Sequence, residues 1–260
     1  SAGFVLIVLL VVFRYSSASE MMIDDNKFLS VFKNKILDRS GNQVHLKGFH
    51  FKCFSILSKD LFDAFISKNE NRLSGCLQIT NSFCSERDVE IIRSMGANVV
   101  RIDFRLWQVE KSPNLYDTRF LQHMDDVIEK FAKLGIYTIL DLHAAGQNSL
   151  KHNREYGNRL WDDAGLRNRI VGLWGELAKR YKNNPWIAGY DLINEPQAPN
   201  QKALGEFYQD IINRIRSADD NHIVFIEMDI HEDKLPIFRG TYQDPNMVWS
   251  LHFYKPAPFT

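Results

Sequence analysis

Residues 189–196 read GYDLINEP, an apolar segment that ends in Asn194, Glu195 and Pro196. Proline has no backbone N–H, so Pro196 cannot continue a β-ladder and the predicted strand must end at Glu195. The side chains of Asn194 and Glu195 are therefore expected at the carboxyl end of a buried strand. In parallel sheets this end carries the residues that bind and convert ligands.

Predicted strands and helices alternate on both sides of this stretch. Apolar runs bounded by turn residues predict six strands, at 46–51, 98–104, 137–142, 187–193, 222–228 and 247–253. Capping residues and terminal glycines or asparagines predict helices at 85–95, 118–134, 164–181 and 202–217. A short hairpin with its turn at Gly41 and Asn42 is expected to lead into the first buried strand. This alternation predicts a parallel α/β sheet with both faces covered.

A doubly wound open sheet and a TIM (β/α)8 barrel both fit this pattern. No G-x-G-x-x-G follows the first strand, which weakens a nucleotide-binding open sheet. Polar or ionisable residues recur at the carboxyl end of nearly every strand: Arg101 and Asp103, Asp141 and His143, Asp191, Asn194 and Glu195, Glu227, and His252 and Tyr254. In a barrel all of these strand ends meet at one rim. The sequence therefore favours an incomplete barrel with about six of eight βα units.

Composition sets limits on the partners. The chain has 260 residues, 45% of them hydrophobic, and its 32 Lys and Arg balance its 32 Asp and Glu. This balance gives no electrostatic reason to expect nucleic acid or a membrane surface as a stable partner. No linker or repeat interrupts residues 27–260, which are predicted to form one catalytic domain.

The N-terminal segment resembles a targeting signal. Residues 3–13 are apolar, too few for the roughly 20 that cross a membrane, and Ser16 and Ala18 provide small residues of a cleavage site. We therefore predict a signal peptide over residues 1–18 and a secreted, extracellular protein. A truncated signal anchor is the alternative.

The three cysteines lie in one stretch. In an exported protein, Cys76 and Cys84 could close a short loop while Cys53 stays free. No Cys/His spacing resembles a zinc site, so no metal is predicted.

Glu195 is the strongest candidate for chemistry. A carboxylic acid among apolar and aromatic neighbours keeps its proton to higher pH, as needed to protonate a glycosidic oxygen near neutrality. A rim salt bridge or a helix N-terminal glutamate is the alternative role. The sequence Asn-Glu-Pro at the end of a buried strand favours catalysis.

Four ordered motifs resemble the strand motifs of family 5 glycoside hydrolases, in particular the cellulase-type endoglucanases. They are GANVVRI at 96–102, LDLHAAGQN at 140–148, GYDLINEP at 189–196 and LHFYKP at 251–256. The resemblance extends from about residue 28 to residue 260. It implies a retaining β-glycosidase on a (β/α)8 barrel, with the acid/base after strand four and the nucleophile after strand seven. Two carboxylates and a water complete this chemistry, so no cofactor is implied.

The resemblance also assigns residue roles. Glu195 matches the acid/base, Asn194 the residue that binds the sugar 2-hydroxyl, and Arg101 the arginine that supports the charge of the nucleophile. The remaining polar shell around the cleavage subsite corresponds to His143, His252 and Tyr254.

Aromatic side chains are expected to stack on the apolar faces of sugar rings. Trp107, Trp161 and Phe104 are predicted just beyond strand ends and are the candidates. Trp161 could equally fix its own loop. Trp174 lies at apolar spacing within a predicted helix and is expected in the core.

The second carboxylate is not found in this sequence. Retaining hydrolysis needs two carboxylates about 5 to 5.5 Å apart. Since LHFYKP matches the sixth strand, the nucleophile and strands seven and eight are expected beyond residue 260, in a longer chain truncated here. Glu227 ends the fifth predicted strand and is assigned no catalytic role.

The resulting hypothesis is a secreted endo-β-1,4-glucanase that acts on cellulose or a related β-glucan. A catalytically inactive carbohydrate-binding barrel, or an inactive fragment, is the alternative. A membrane-anchored protein with an uncleaved N-terminal segment is a third possibility.

Overall fold

The computed structural model describes residues 25–54, 84–143, 160–196, 198–227 and 243–252. Within these ranges the strands are β1 (Leu29–Phe32), β2 (Lys35–Asp38), β3 (Gly48–Phe51), β4 (Val99–Phe104), β5 (Glu110–Ser112), β6 (Leu115–Tyr116), β7 (Tyr137–Leu142), β8 (Ile187–Asp191), β9 (Ile223–Glu227) and β10 (Met247–Ser250). The α-helices are α1 (Glu86–Ser94), α2 (Leu106–Val109), α3 (Thr118–Lys133), α4 (Ala164–Tyr181) and α5 (Gln201–Arg216). A 3-10 turn, Asp25–Lys27, precedes β1.

Six strands form one parallel sheet in the order β10-β9-β8-β7-β4-β3. Sequential strands joined by helices are neighbours, as in a right-handed βα barrel wall. In the register, His50 of β3 lies opposite Arg101 of β4, and Asp103 of β4 lies opposite Asp141 of β7. The predicted (β/α)8 barrel class is confirmed, and the described residues form six parallel strands of it.

The two faces of the sheet differ in chemistry. On β4, Val100, Ile102 and Phe104 belong to the large core between the sheet and the helices. The alternate residue Val99 belongs to a second, smaller core, which β1 joins through Leu29. Arg101 and Asp103 follow Val99 at the spacing that keeps side chains on one face of a strand.

The same change from apolar to charged recurs along β7 and β9. Tyr137 and Ile139 of β7 contribute to the small core, and Asp141 follows them two residues on. Ile223 and Phe225 of β9 precede Glu227 in the same way. The inner face is therefore apolar at the amino ends of the strands and acidic at the carboxyl ends.

Local capping sets the helix limits. Ser85 and Asp88 form a capping box at the start of α1, and the carboxylate of Asp163 accepts the N–H of Leu166 at the start of α4. After α3 the chain reverses at Gly135, whose φ of +70° suits glycine. The predicted helices all form within one or two residues of their expected bounds.

The chain before the sheet makes two turns. The predicted turn at Gly41 (φ 83°) forms, with Leu37 and Gln43 bridged antiparallel across it, and β1 and β2 pair around a further turn at Lys33 (φ 57°) that was not predicted. One expectation near the N-terminus is wrong. The first strand of the sheet, β3, is largely exposed rather than buried. It is the outermost strand of the described sheet, so one of its edges has no neighbouring strand there.

The disulfide also differs from the expectation. Cys53, just past β3, is bonded to Cys84, just before α1, with a Cα–Cα distance of 5.7 Å. Both cysteines are buried. The prediction paired the cysteines nearest in sequence, whereas the fold brings the strand end beside the helix start. Cys76 lies outside the described residues, as does the predicted signal peptide at 1–18.

No helix among the described residues has the length and apolar character that crossing a membrane requires.

Candidate active site

Arg101 stands at the centre of the carboxyl-end cluster. Its guanidinium lies 2.7 Å from Asp191, 2.9 Å from Asp141 and 2.6 Å from Glu227. It also donates from Nη2 to Oδ1 of Asn194 at 3.0 Å. Strands β4, β7, β8 and β9 are thus linked through one side chain.

Burial controls the charges in this cluster. Burial raises the pKa of both Asp141 and Asp191, the negative charge of Glu227 adds to the shift, and the charge of Arg101 opposes it. For Arg101, burial acts in the opposite sense, but the charges of Asp191, Asp141 and Glu227 raise its pKa above the ordinary value. The positive guanidinium is therefore what allows several acids to be buried side by side.

Glu195 is held in an unusual backbone conformation. Its φ is 46°, in the left-handed region that residues with a side chain rarely occupy. The N–H of Glu195 donates to the carboxylate of Glu227, and the N–H of the preceding Asn194 donates to the Leu142 carbonyl at 3.2 Å. These bonds fix the turn after β8 and direct the partly exposed Glu195 carboxylate away from the core.

His252 joins two carboxylates. Its Nδ1 lies 2.7 Å from Oε1 of Glu195, and its Nε2 lies 3.0 Å from Oε1 of Glu227. The hydrogen bonds to Glu195 and Glu227 raise the pKa of His252 to about 10. His252 is therefore an imidazolium at neutral pH, with a proton facing each acid.

His143 follows β7 and behaves differently. Its Nδ1 lies 2.8 Å from Oδ2 of Asp141. Burial lowers the pKa of His143 to about 4, assisted by the charge of Arg101 and opposed by that of Asp103. The ring is neutral at pH 7, with Nδ1 directed at Asp141.

The aromatic candidates separate into two groups. Trp107 is partly exposed on α2, directly after β4. Trp161 is partly buried and packs edge-on against Phe207 of α5 beside the main core. Phe104 is fully buried, so its proposed role as a sugar platform is wrong: it is the outer-face residue of β4 and contacts Trp174. Trp174 lies in the core as predicted.

The structure therefore brings five of the predicted site residues into one area: Arg101, His143, Asn194, Glu195 and His252. Tyr254 lies outside the described residues.

Sequence reasoning left the acids around Arg101 without a role. Asp191 and Glu227 are the last residues of their strands, IAGYD and IVFIE, and Asp141 is the second-last residue of YTILDL. A buried charge needs a partner of opposite sign, and the one arginine within a predicted strand, Arg101, was the signal available. Charge complementarity between strands could have grouped these residues.

The arrangement offers one partly exposed acid, Glu195, positioned by a cationic histidine and by a buried ion network. Such a group can give a proton to a bound substrate and take one back from water.

A comparison with known families decides the classification. The family Cellulase (glycosyl hydrolase family 5) matches residues 62–260. The chain belongs to glycosyl hydrolase family 5.

Curated relatives of this family 5 chain carry several activities in their names. The chain is 31% identical to a β-xylosidase of Phanerodontia chrysosporium over 250 residues, covering 88% of this chain and 52% of that protein. It is 26% identical to endoglucanase C of Acetivibrio thermocellus over 211 residues, covering 80% of this chain and 55% of that protein. The family 5 chain thus spans about half the length of the curated relatives it matches.

Solved structures agree on the fold of the family 5 chain. An endogalactoceramidase aligns with a TM-score of 0.64 at 22% identity, covering 86% of this chain and 59% of that one. The endoglucanase Cel5A of Thermotoga maritima aligns with a TM-score of 0.54 at 24% identity, covering 68% and 55%.

Proposed function

We propose that the protein is a secreted retaining β-glycosidase, with Glu195 as its acid/base and a β-1,4-linked glucan as its substrate. The observation that carries this proposal is the placement of Glu195. It is a partly exposed carboxylate at a strand end, in a strained backbone conformation, hydrogen-bonded to His252 and anchored through its N–H to Glu227.

In this mechanism Glu195 protonates the oxygen of the leaving sugar, and later removes a proton from the attacking water. The His252 cation holds Glu195 in place and stabilises its ionised form between the two steps. Asn194, which is held by Arg101, is the proposed ligand of the sugar 2-hydroxyl. The double displacement also requires a nucleophilic carboxylate about 5 to 5.5 Å from Glu195. The family resemblance assigns that nucleophile to a seventh strand, and we do not assign the role to Glu227, whose oxygens are bound by Arg101 and the Glu195 N–H.

Several relatives are named endoglucanase, which supports a glucan as the substrate. The β-xylosidase relative has the higher sequence identity, so aryl xylosides belong in the same test. The buried disulfide between Cys53 and Cys84 supports export, because such bonds persist in oxidising compartments. The apolar segment at 3–13 supports export through a cleaved signal.

The test uses the full-length protein, including the seventh strand to which the resemblance assigns the nucleophile, and compares it with Glu195→Gln and with the control Glu206→Gln, whose carboxylate is exposed on α5. Carboxymethyl-cellulose, mixed-linkage glucan, xyloglucan, mannan and an aryl β-xyloside are assayed in parallel, and the anomer first released is followed by NMR. We expect glucan hydrolysis with retained configuration, a loss of about 10²- to 10⁴-fold in Glu195→Gln, and little change in Glu206→Gln.

Undiminished activity of Glu195→Gln, or an inverted product, would overturn the assignment. Binding of cello-oligosaccharides without any turnover would support the inactive carbohydrate-binding barrel instead. Turnover of the xyloside alone would support Glu195 as the acid/base but would identify a xyloside, rather than a glucan, as the substrate.

A further inference from the structure

Three side chains from adjacent strands meet on the inner face, and one of them, His143, also belongs to the site already described. They are His50 on β3, Asp103 on β4 and His143 just after β7. One ligand-type atom from each lies within 4.8 Å of the others. Two imidazoles and one carboxylate form a donor set that suits Zn²⁺ and related divalent transition metals.

Asp103 gives an independent reason to expect a cation. Its side chain is fully buried, and neither carboxylate oxygen has a hydrogen-bond partner among the residues that the structure describes. Nε2 of His50 lies 3.6 Å from Oδ1, which is beyond hydrogen-bond distance. Burying a carboxylate without a partner costs several kcal/mol, so this group needs a positive ligand or a proton.

The surrounding cations do not meet that need. The charge of Arg105 acts on Asp103 through space, but among the described residues Nε of Arg105 is buried without a hydrogen-bond partner, and no hydrogen bond joins Arg105 to Asp103. Arg101 is already bound to Asp141, Asp191 and Glu227. Those three acids also lie close enough to hold an ion, but the guanidinium of Arg101 bridges them instead.

The orientation of the His143 ring suits metal coordination. Its Nδ1 is directed at Asp141 at 2.8 Å, which leaves Nε2 as the ring atom able to bind a metal. A carboxylate behind a histidine is the usual outer contact of a metal-bound imidazole, because it orients the ring and increases its basicity.

We propose that His50, Asp103 and His143 bind one divalent transition-metal ion, with Zn²⁺ as the best match. Bonds of 2.0 to 2.2 Å in a tetrahedral site would bring the ligand atoms to about 3.4 Å from one another. His50 can supply this adjustment, because its side chain is partly exposed on the outermost described strand. The same exposure gives the ion a route of entry and leaves a fourth position for water.

The ion would connect three consecutive strands at their carboxyl ends. Asp103 lies two residues beyond Arg101, the residue paired with His50, and His143 lies two residues beyond Asp141, the residue paired with Asp103. Because the three ligands come from neighbouring strands, metal binding should hold β3 against β4 and β7. This inference does not depend on the glycosidase proposal, and its test does not use activity.

The experiment uses the protein without an affinity tag, stripped with a chelator and then titrated with Zn²⁺ by calorimetry. We expect one Zn²⁺ per chain and a rise in melting temperature on binding. Co²⁺ in place of Zn²⁺ should give the visible absorption of a four-coordinate site. His50→Ala and Asp103→Asn should each weaken binding at least about tenfold. The matched control, His45→Ala, removes an exposed histidine outside the cluster and should bind as the unmodified protein does.

The Asp103→Asn variant also distinguishes a loss of metal binding from a failure to fold. It removes an unpartnered buried charge, so the metal-free variant should be at least as stable as the metal-free protein. Failure to bind Zn²⁺ or Co²⁺ would overturn the proposal. The proposal would also be overturned if His50→Ala and Asp103→Asn bound Zn²⁺ as tightly as the unmodified protein does. Loss of binding in His45→Ala alone would overturn it too.

Discussion

Nδ1 of His252 lies 2.7 Å from Oε1 of Glu195, although 57 residues separate them in the sequence. The other nitrogen of the same ring contacts Glu227 at 3.0 Å. A single protonated imidazole thus connects the exposed acid of the candidate site to the buried acid that binds Arg101. The position of Glu195 is set by the loop after β10 as well as by its own strand.

The His252 contacts predict how stability depends on pH. The folded-state pKa of His252 is about 10, against 6.5 for the ordinary imidazole. The stabilisation is therefore complete below about pH 6.5 and is lost as the pH rises through 10. As the pH rises from 6.5 to 10, the free energy of unfolding of the protein should fall by about 1.5 to 3 kcal/mol more than that of the His252→Gln variant. Urea denaturation near pH 6 and near pH 10 measures this difference, with His45→Gln as the control. Parallel losses in the protein and in His252→Gln would contradict the assigned contacts.

Arg101→Met should be strongly destabilising at neutral pH. The substitution leaves Asp141, Asp191 and Glu227 close together and buried without their cation. Removing one member of a buried ion network costs about 3 to 5 kcal/mol. Arg119→Met is the control, since Arg119 is exposed and its ion pair with Asp117 is worth at most about 1 kcal/mol. Similar unfolding free energies for the two variants would show that the network is not formed.

The disulfide makes a prediction about connectivity and stability. Peptide mapping without reduction should recover a fragment that joins Cys53 to Cys84. The bond spans 31 residues, for which loop-closure entropy gives about 3 to 4 kcal/mol. The double variant Cys53→Ser/Cys84→Ser should lose about that much unfolding free energy in urea. A fragment joining Cys76 to Cys84 would contradict the structure.

Gly189→Ala should damage the sheet. Gly189 of β8 pairs with Ile223 of β9, and an added Cβ would meet the Ile223 carbonyl oxygen and lie 2.7 Å from the Phe225 ring. Because the obstruction is partly backbone, we expect a loss of at least about 1 to 3 kcal/mol, measured by thermal or urea denaturation.

Gly172→Ala is the matched control for that substitution. Its added Cβ would meet only the ends of two side chains, Asn114 at 3.0 Å and Tyr116 at 3.1 Å, and alanine favours the helix by about 1 kcal/mol. It should cost clearly less than Gly189→Ala. An equal or smaller cost at Gly189 would contradict the β8–β9 pairing.

Much of the fold could be predicted because its signals are local. The bounds of β7 and α4 match the sequence prediction residue for residue, since turn residues and caps lie at both ends. Phe104 shows the limit of this approach. It lies at a strand end, as expected of a sugar platform, but the alternation along β4 directs it into the helix-covered core.

The sequence by itself determined the alternation of strands and helices, because apolar runs and the turn residues between them are local signals. It also predicted that Glu195 follows a strand, although β8 ends at Asp191, before the position that Pro196 indicated. Tertiary structure decided which residues meet: Arg101 with Glu227 at a separation of 126 residues, Cys53 with Cys84, and His50 with Asp103 and His143. Contacts between distant residues depend on strand order and register, which no local pattern encodes.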